Sequence, residues 1–406
     1  MAADENLLRR FLKDDSKTDE LECFLSTLGS ASQLEKGKIN FTWLEVEYKR
    51  NGRDIKAIRS IAPHDSNILA GLEERVDEAL YADHGTEAGE AYFFTYPPVV
   101  GVVRLGDVLQ ILPVPDEAPK IEPISLIGDH PAILQFTYDK STHRHVNQHR
   151  REKRKKELFL LLNTLIRNGI SWIGNTIQKS WVWPVRGEDL PDYGFKYCQI
   201  GYGSNQEWDQ RDESGFFVNP SWPKIPRKVH SRYYGDSGFT IGEPFQLPDS
   251  LETSVAKYHQ LTENESALFM RSAYWLEKCS DVFNHSHSLA YVSLVYALEG
   301  LVPVATMTGQ CVSCGKDQFD KSISTRFREF LDEYGADLPK GDVDEIYGIR
   351  SAIAHGGGLM PRDREITGFR FTAEQNEKDA VYRRLKRVCE VVLINWLHSD
   401  KRTTTA

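Results

Sequence analysis

The apolar positions change period near residue 250. Before it, short alternating runs dominate. Ile39 to Tyr48 alternates apolar and polar residues, Asn51-Gly52 is a two-residue turn signal, and Ile55 to Ile61 is the partner strand this turn predicts. Ala91 to Tyr96, Val99 to Arg104, Val108 to Leu112 and Leu134 to Tyr138 read as further strands, punctuated by Pro97-Pro98 and Gly106-Asp107. Three stripes of helical spacing interrupt them. Leu7, Leu8, Phe11 and Leu12 predict a short N-terminal amphipathic helix. Ile68, Leu69, Leu72, Val76 and Leu80 predict a helix within Ser66 to Tyr81. Leu158, Leu161, Leu162 and Leu165 predict a third, stopped by Gly169. Strands and helices do not alternate as they do in a parallel sheet. Pro244 to Ser250 reads as a linker, after which the pattern is helical over 251–261, 263–280, 286–303, 322–335, 342–355 and 375–398. The last of these carries Val381, Leu385, Val388 and Val392 on one stripe. The expected fold class is therefore α+β: an N-terminal β-rich α+β region, residues 1–245, followed by a C-terminal all-α helical bundle, residues 251–399, that folds as an independent domain.

Composition narrows the function classes. A chain of 406 residues, 40% hydrophobic and 27% charged, has ordinary globular proportions and room for two or three domains. A net charge of −9 does not advertise a nucleic-acid binder, so any such role rests on local patches. The six cysteines, Cys23, Cys198, Cys279, Cys311, Cys314 and Cys389, are too scattered for a disulfide framework. Met1 to Asn6 lacks an apolar signal-peptide core, and no run of 18 apolar residues occurs. The expected setting is cytoplasmic, with no membrane contact.

Two stretches stand out chemically within 1–245. Ser141 to Ile170 holds eight Lys or Arg against two Glu. Arg150, Arg151, Lys153, Arg154, Lys155 and Lys156 lie where the predicted helix begins, and basic residues there oppose its dipole. Clustered cations of this kind can neutralise an RNA backbone; the plainer reading is a solvated helix start. Residues 171–245 are rich in aromatics, among them Trp172, Trp181, Trp183, Trp208 and Trp222, which read as base-stacking surface or, more simply, as the core of a β-rich segment. No Walker loop or dinucleotide fingerprint is present.

The sharpest chemical candidate is Asp342 to His355, followed by Gly356-Gly357-Gly358. Asp342 with Glu345 predicts an acidic capping box, Ile346, Ile349 and Ile353 form an apolar face, and the glycines stop the helix at His355. Arginine grips phosphate oxygens in a fork, and histidine moves protons near neutral pH. The Arg-x-x-x-x-His spacing alone carries little weight. It occurs three times, at Arg59–His64, Arg144–His149 and Arg350–His355, and of these the last has a capped amphipathic helix around it. On an ideal helix five residues amount to about 140° and about 7.5 Å, so the two side chains do not share one face.

Tyr347-x-x-Arg350-Ser351-x-x-Ala354-His355-Gly356 resembles the terminal motif of HEPN domains, particularly the Apea-like HEPN group of bacterial defence proteins. Ala273-Tyr274-Trp275-Leu276 and Val295 to Leu301 resemble an earlier part of the same group, so the likeness covers roughly residues 252–399. The resemblance implies an all-helical domain that dimerises, and in many members RNA cleavage without a metal by the Arg and His of this motif. Carried onto this chain, it implies Arg350 and His355 as catalytic residues, with Ser351 aiding the site and Glu299 orienting Arg350. The expected function is thus a metal-independent endoribonuclease, acting on RNA as a homodimer in phage defence or a toxin system, with no cofactor. The alternative is a catalytically inactive HEPN dimer that binds a protein or a nucleotide. Cys311-Val312-Ser313-Cys314 is half of a zinc knuckle, and without a second ligand pair it predicts no stoichiometric zinc in a monomer.

Overall fold

The computed structural model describes residues 8, 11–29, 31–35, 38–41, 44–49, 55–60, 71–95, 97–114, 130–167, 170–172, 210–235, 243–283, 285–304, 307–310, 317–335, 340–364, 373–400 and 402. Asn51-Gly52, Trp181, Trp183, Trp208, Cys311 and Cys314 lie outside these residues, so the hairpin turn, most of the aromatic segment and the half zinc knuckle are not described. The fold class is α+β, with the larger sheets in the N-terminal half and a mainly helical C-terminal half; the C-terminal bundle expected to be all-α carries an antiparallel strand pair, Met307–Gln310 with Asp317–Phe319.

The helices are α1 (Thr18–Leu25), α2 (Leu72–Leu80), α3 (Arg144–Leu165), α4 (His230–Gly235), α5 (Leu251–His259), α6 (Glu263–Val282), α7 (His287–Glu299), α8 (Ile323–Tyr334), α9 (Lys340–Ala354), α10 (Pro361–Arg364) and α11 (Ala373–His398). A four-stranded antiparallel sheet runs β1 (Ala31–Glu35), β2 (Lys38–Phe41), β3 (Leu44–Tyr48), β4 (Ile55–Ser60). Here Ile39 to Tyr48 is two paired strands and not one, with Phe41 opposite Leu44. Leu8 takes a positive φ of 58° and Phe11–Lys13 a short 3-10 turn, in place of the expected N-terminal helix, which forms instead at α1. A second sheet is ordered β6 (Val103–Leu105), β7 (Leu109–Pro113), β8 (His130–Asp139), β5 (Thr86–Thr95), β9 (Ile170–Trp172).

The second sheet is apolar on both faces. Leu109, Ile111, Ala132, Leu134, Phe136 and Phe93 point to the main core, where Phe93 meets Phe159 of α3 edge-on at 6.0 Å. The opposite face pairs Leu112 and Ile133 with Phe217, beside a buried amide network: Gln110 donates to Gln135 at 3.2 Å and to the Phe217 carbonyl at 2.9 Å, and the Phe217 N–H donates to Gln135 at 3.0 Å.

Helix α3 is the member on which both cores close. Its start packs Val146 against the α1–α2–first-sheet cluster. Its end, Leu158 to Leu165, lies in the main core with the second sheet and with α5 to α9 and α11. That core crosses the expected boundary at 245–251 without a break. Phe245 and Leu247 are fully buried, and β11 (Leu247–Pro248) pairs in parallel with β10 (Arg227–Lys228). The Pro-bounded segment read as a linker is thus a strand inside the packing.

Among the helices of the second half the expected positions hold to within a few residues. Thr262 and Glu265 form a capping box at α6, with Thr262 N–H donating to Glu265 at 2.8 Å. The capping box expected at Asp342–Glu345 does not form, because α9 starts earlier, at Lys340. Both carboxylates bind α11 instead, Asp342 to Arg384 at 2.6 Å and Glu345 to Lys378 at 3.0 Å.

Candidate active site

Helix α9 is seated on α7 by its apolar face. Val343 and Ile346 are buried, and the Tyr291 hydroxyl of α7 donates to the Ile346 carbonyl at 3.1 Å. This docking sets Arg350 over Glu299, the last residue of α7. A carboxylate at a helix C-terminus faces the negative end of the dipole, so Glu299 gains from a cation placed against it. Arg350 Nη2 donates to Glu299 Oε2 at 3.1 Å, with the side chains 21% and 15% exposed. The guanidinium carbon lies 5.8 Å from the ring centroids of both Tyr296 and Tyr347, within cation–π range. Tyr296 is one turn before Glu299, and Tyr347 one turn before Arg350, so helical spacing alone brings the rings to the pair. The grip is one-armed. Arg350 Nε and Glu299 Oε1 are buried with no hydrogen-bond partner among the described residues. A buried donor and acceptor left open are costly and mark a place where a further polar group fits.

His355 closes α9. Its N–H still donates to the Ser351 carbonyl at 3.1 Å, so it keeps the helical path. Gly356 then takes a left-handed φ of 71°; its N–H donates to Ile353 at 3.1 Å and that of Gly357 to Ala352 at 2.8 Å. This is a Schellman ending, and the positive φ favours glycine at 356. His355 is exposed while Arg350 is turned inward to Glu299. Ser351 is half-buried beside Arg350, and its carbonyl is what holds His355.

Beyond the glycines, the chain is fastened to the other end of α7. Asp363 accepts from the Ser286 hydroxyl at 2.9 Å, the His287 N–H at 2.9 Å and the Ser288 N–H at 2.7 Å, while the Met360 N–H donates to Ser288 Oγ at 2.8 Å. Burial pushes the Asp363 carboxyl up, and the hydrogen bonds from Ser288, Ser286 and His287 outweigh it, leaving it below its ordinary value. So α7 holds Arg350 at its C-terminus and the segment after His355 at its N-terminus.

Half of the basic stretch is committed elsewhere. Arg150 is buried, donating to Glu20 of α1 from Nε at 3.0 Å and from Nη2 at 2.7 Å, and also to the carbonyls of Lys140 and Leu80. An RNA backbone cannot reach it. Lys155 is buried beside Glu152, and Arg154 pairs with Glu157 at 2.8 Å. Arg151, Lys153 and Lys156 are exposed. At the helix start His143 is the cap, its Nδ1 accepting from Val146 N–H over a long 3.5 Å; burial, aided by His145, lowers its proton affinity, which keeps that nitrogen an acceptor. The structure also adds residues that the motifs left without a role: Tyr296, and Arg271, Tyr274 and Lys278, which recur at i, i+3 and i+7 on α6. That spacing was visible in the sequence but is polar and aromatic, and apolar stripes do not reveal it.

Among the described residues no group of three or more His, Cys, Asp or Glu could hold a metal ion, and no helix is long and apolar enough to cross a membrane. The chain matches no family model, no curated protein and no solved structure.

Proposed function

We propose that this chain is an endoribonuclease of HEPN type in which Arg350 binds the scissile phosphate and His355 transfers protons. The observation that supports it is the Arg350 niche: of the three Arg-x-x-x-x-His matches, this one has its arginine held by a carboxylate and two tyrosine rings next to a helix-ending, exposed histidine. Arg59, by contrast, bridges Glu45 and Glu47 across strands, and Arg144–His149 lies at the start of α3. In the reaction His355 of one copy takes the 2′-hydroxyl proton as the O2′–P bond forms, and the P–O5′ bond breaks as the protonated His355 of the second copy gives its proton to O5′. A 2′,3′-cyclic phosphate and a 5′-hydroxyl result. Arg350 stabilises the charge on the non-bridging oxygens, and a phosphate oxygen at Nε satisfies the donor left open there. Neither step calls on a metal. Because Arg350 and His355 do not share a face, one copy encloses a phosphate poorly, and the active unit under this reading is a homodimer that brings two such pairs to one cleft.

The ion pair to Glu299 also favours a second reading, since an arginine already neutralised is fit for a structural role in an inactive HEPN-like scaffold. One experiment separates the two. Purified protein is incubated with mixed single-stranded RNAs in EDTA across a dilution series, with molecular mass followed by light scattering. The expected outcome is cleavage to cyclic-phosphate ends, reduced at least 100-fold in Arg350→Ala and His355→Ala, with activity per chain falling as the protein dissociates. Intact RNA at all concentrations rejects the nuclease, and undiminished activity of a monomer rejects the composite site.

A further inference from the structure

A run of aromatic rings leads away from Arg350 along α7 and α6. Tyr296, which faces the guanidinium, meets Trp275 edge-on at 5.2 Å, and Trp275 meets Tyr274 edge-on at 5.6 Å. Steps of 5.8, 5.2 and 5.6 Å keep the Tyr274 ring within about 17 Å of the guanidinium carbon, a reach of no more than about five stacked nucleotides at about 3.4 Å each.

Tyr274 ends this run at the surface. It is one of the exposed large hydrophobic side chains, at 36%. Two ammonium groups lie over its ring, Lys278 of its own helix at 5.4 Å and Lys156 of α3 at 5.8 Å. Arg271, one turn earlier on the same face, and Lys153, one turn earlier on α3, are exposed as well. The opposing charge is local: Asp281 pairs with Lys278, and Glu277 is half-buried between Lys278 and Lys156, where burial pushes its carboxyl up. The exposed edge therefore presents a π-face with two lysine ammonium groups on long stems beside it, one of them also paired to Asp281. Single-stranded nucleic acid is held by that combination, with bases stacked on aromatics and phosphates met by lysines.

We infer that Tyr274, flanked by Lys156 and Lys278, is a base-stacking subsite for single-stranded RNA that feeds the phosphodiester to Arg350. It rests on the nuclease reading for its direction, and on its own geometry for binding. The flexible lysines move off the ring when a base enters and turn to the adjoining phosphates. It also gives the exposed part of the basic stretch a use that its buried part, Arg150 and Lys155, does not have.

The test is fluorescence anisotropy with a labelled single-stranded RNA on the full chain, beside the cleavage assay. Tyr274→Ala is expected to weaken binding about ten-fold, as removal of one stacked base does, while Tyr274→Trp retains it. Lys156→Gln with Lys278→Gln is expected to lower the slope of log affinity against log salt by about 0.7 for each phosphate no longer neutralised. Thermal unfolding of each variant checks that the surface substitution leaves the fold intact. Wild-type protein that binds no single-stranded RNA overturns the subsite and leaves the face to a protein partner. Equal binding by wild type and Tyr274→Ala also overturns it, even if Arg350-dependent cleavage stands. Tyr274-dependent binding without any cleavage keeps the subsite and rejects the nuclease.

Discussion

Arg350 is held by three unlike forces: a single hydrogen-bonded ion pair, two ring faces and the burial of its stem. None of them uses its full donor set, and a residue held this way is placed without being saturated. His287 is the opposite case. Its ring lies tilted against Phe283 at 4.2 Å and 3.7 Å from Asp379, with Arg362 paired to the same carboxylate. Burial lowers its proton affinity, Arg362 lowers it further, and Asp379 and Asp363 pull the other way without prevailing. His143, His259 and His398 are lowered as well, each first by burial. A histidine whose folded value is depressed contributes stability that is whole above its unfolded value and is lost as pH falls below it toward the folded one. The unfolded value is near 6.5. The urea midpoint is therefore expected to be flat from pH 8 to 7 and to fall from pH 6.5 to 5. His287→Phe, which keeps a ring on Phe283, should flatten part of that fall; an unchanged slope in the variant would remove His287 from the account.

At the scale of elements, α3 joins what the sequence separates. Its Arg150 and the Glu20 of α1 are both under a tenth exposed and are 130 positions apart in the chain. Removing Arg150 leaves Glu20 in low dielectric with the partly exposed Lys17, at 3.0 Å, as a weaker remaining partner. Arg150→Ala is expected to cost about 3 kcal/mol, read from denaturant unfolding, while Glu20→Leu with Arg150→Met should recover most of it. A fall of less than about 1 kcal/mol in the single variant would mean that Lys17 and water compensate the remaining charge. The sequence could not reveal this use of Arg150, because a run of cations reads alike whether it faces solvent or a distant glutamate. Periodicity did better where burial is one-sided: α6, α8 and α11 fell close to their expected limits, and Ile346 lies buried as its spacing required. At Leu109 to Leu112 the sheet is covered on both faces and alternation disappears, yet the strand expected over Val108 to Leu112 forms as β7; the pattern did worse at Val99 to Arg104, where the strand begins only at Val103. The Arg350–Glu299 pairing was reached through resemblance, since 51 positions separate the two residues and no local pattern links them.

For the whole molecule, the continuous core replaces the expected division at 245–251. Phe269 and Leu276 of α6 share that core with Leu158, Leu161 and Leu162 of α3, which belong to the first part of the chain. A fragment beginning at residue 251 thus exposes a long apolar face. Expressed alone, residues 251–399 are expected to keep helical far-UV dichroism but lose near-UV signal and cooperative unfolding. Limited proteolysis of the full chain is expected to spare 244–250, where Phe245 and Leu247 are fully buried. A sharp unfolding transition in the fragment would restore the two-domain picture. The same helix has a consequence during synthesis. Most of the sheet that partners α3 precedes it, but α11, which completes the cover of its other side, ends at His398. A ribosome adding about 5–20 residues per second spends roughly 12–47 s on the roughly 230 residues that separate Leu165 from His398. For most of that interval the leucines of α3 lack their full cover, because α6 supplies Phe269 and Leu276 first and α11 completes the packing last. The nascent chain is then a natural client for a holding chaperone, and slowing translation downstream of α3 should lower the soluble yield more than slowing it upstream.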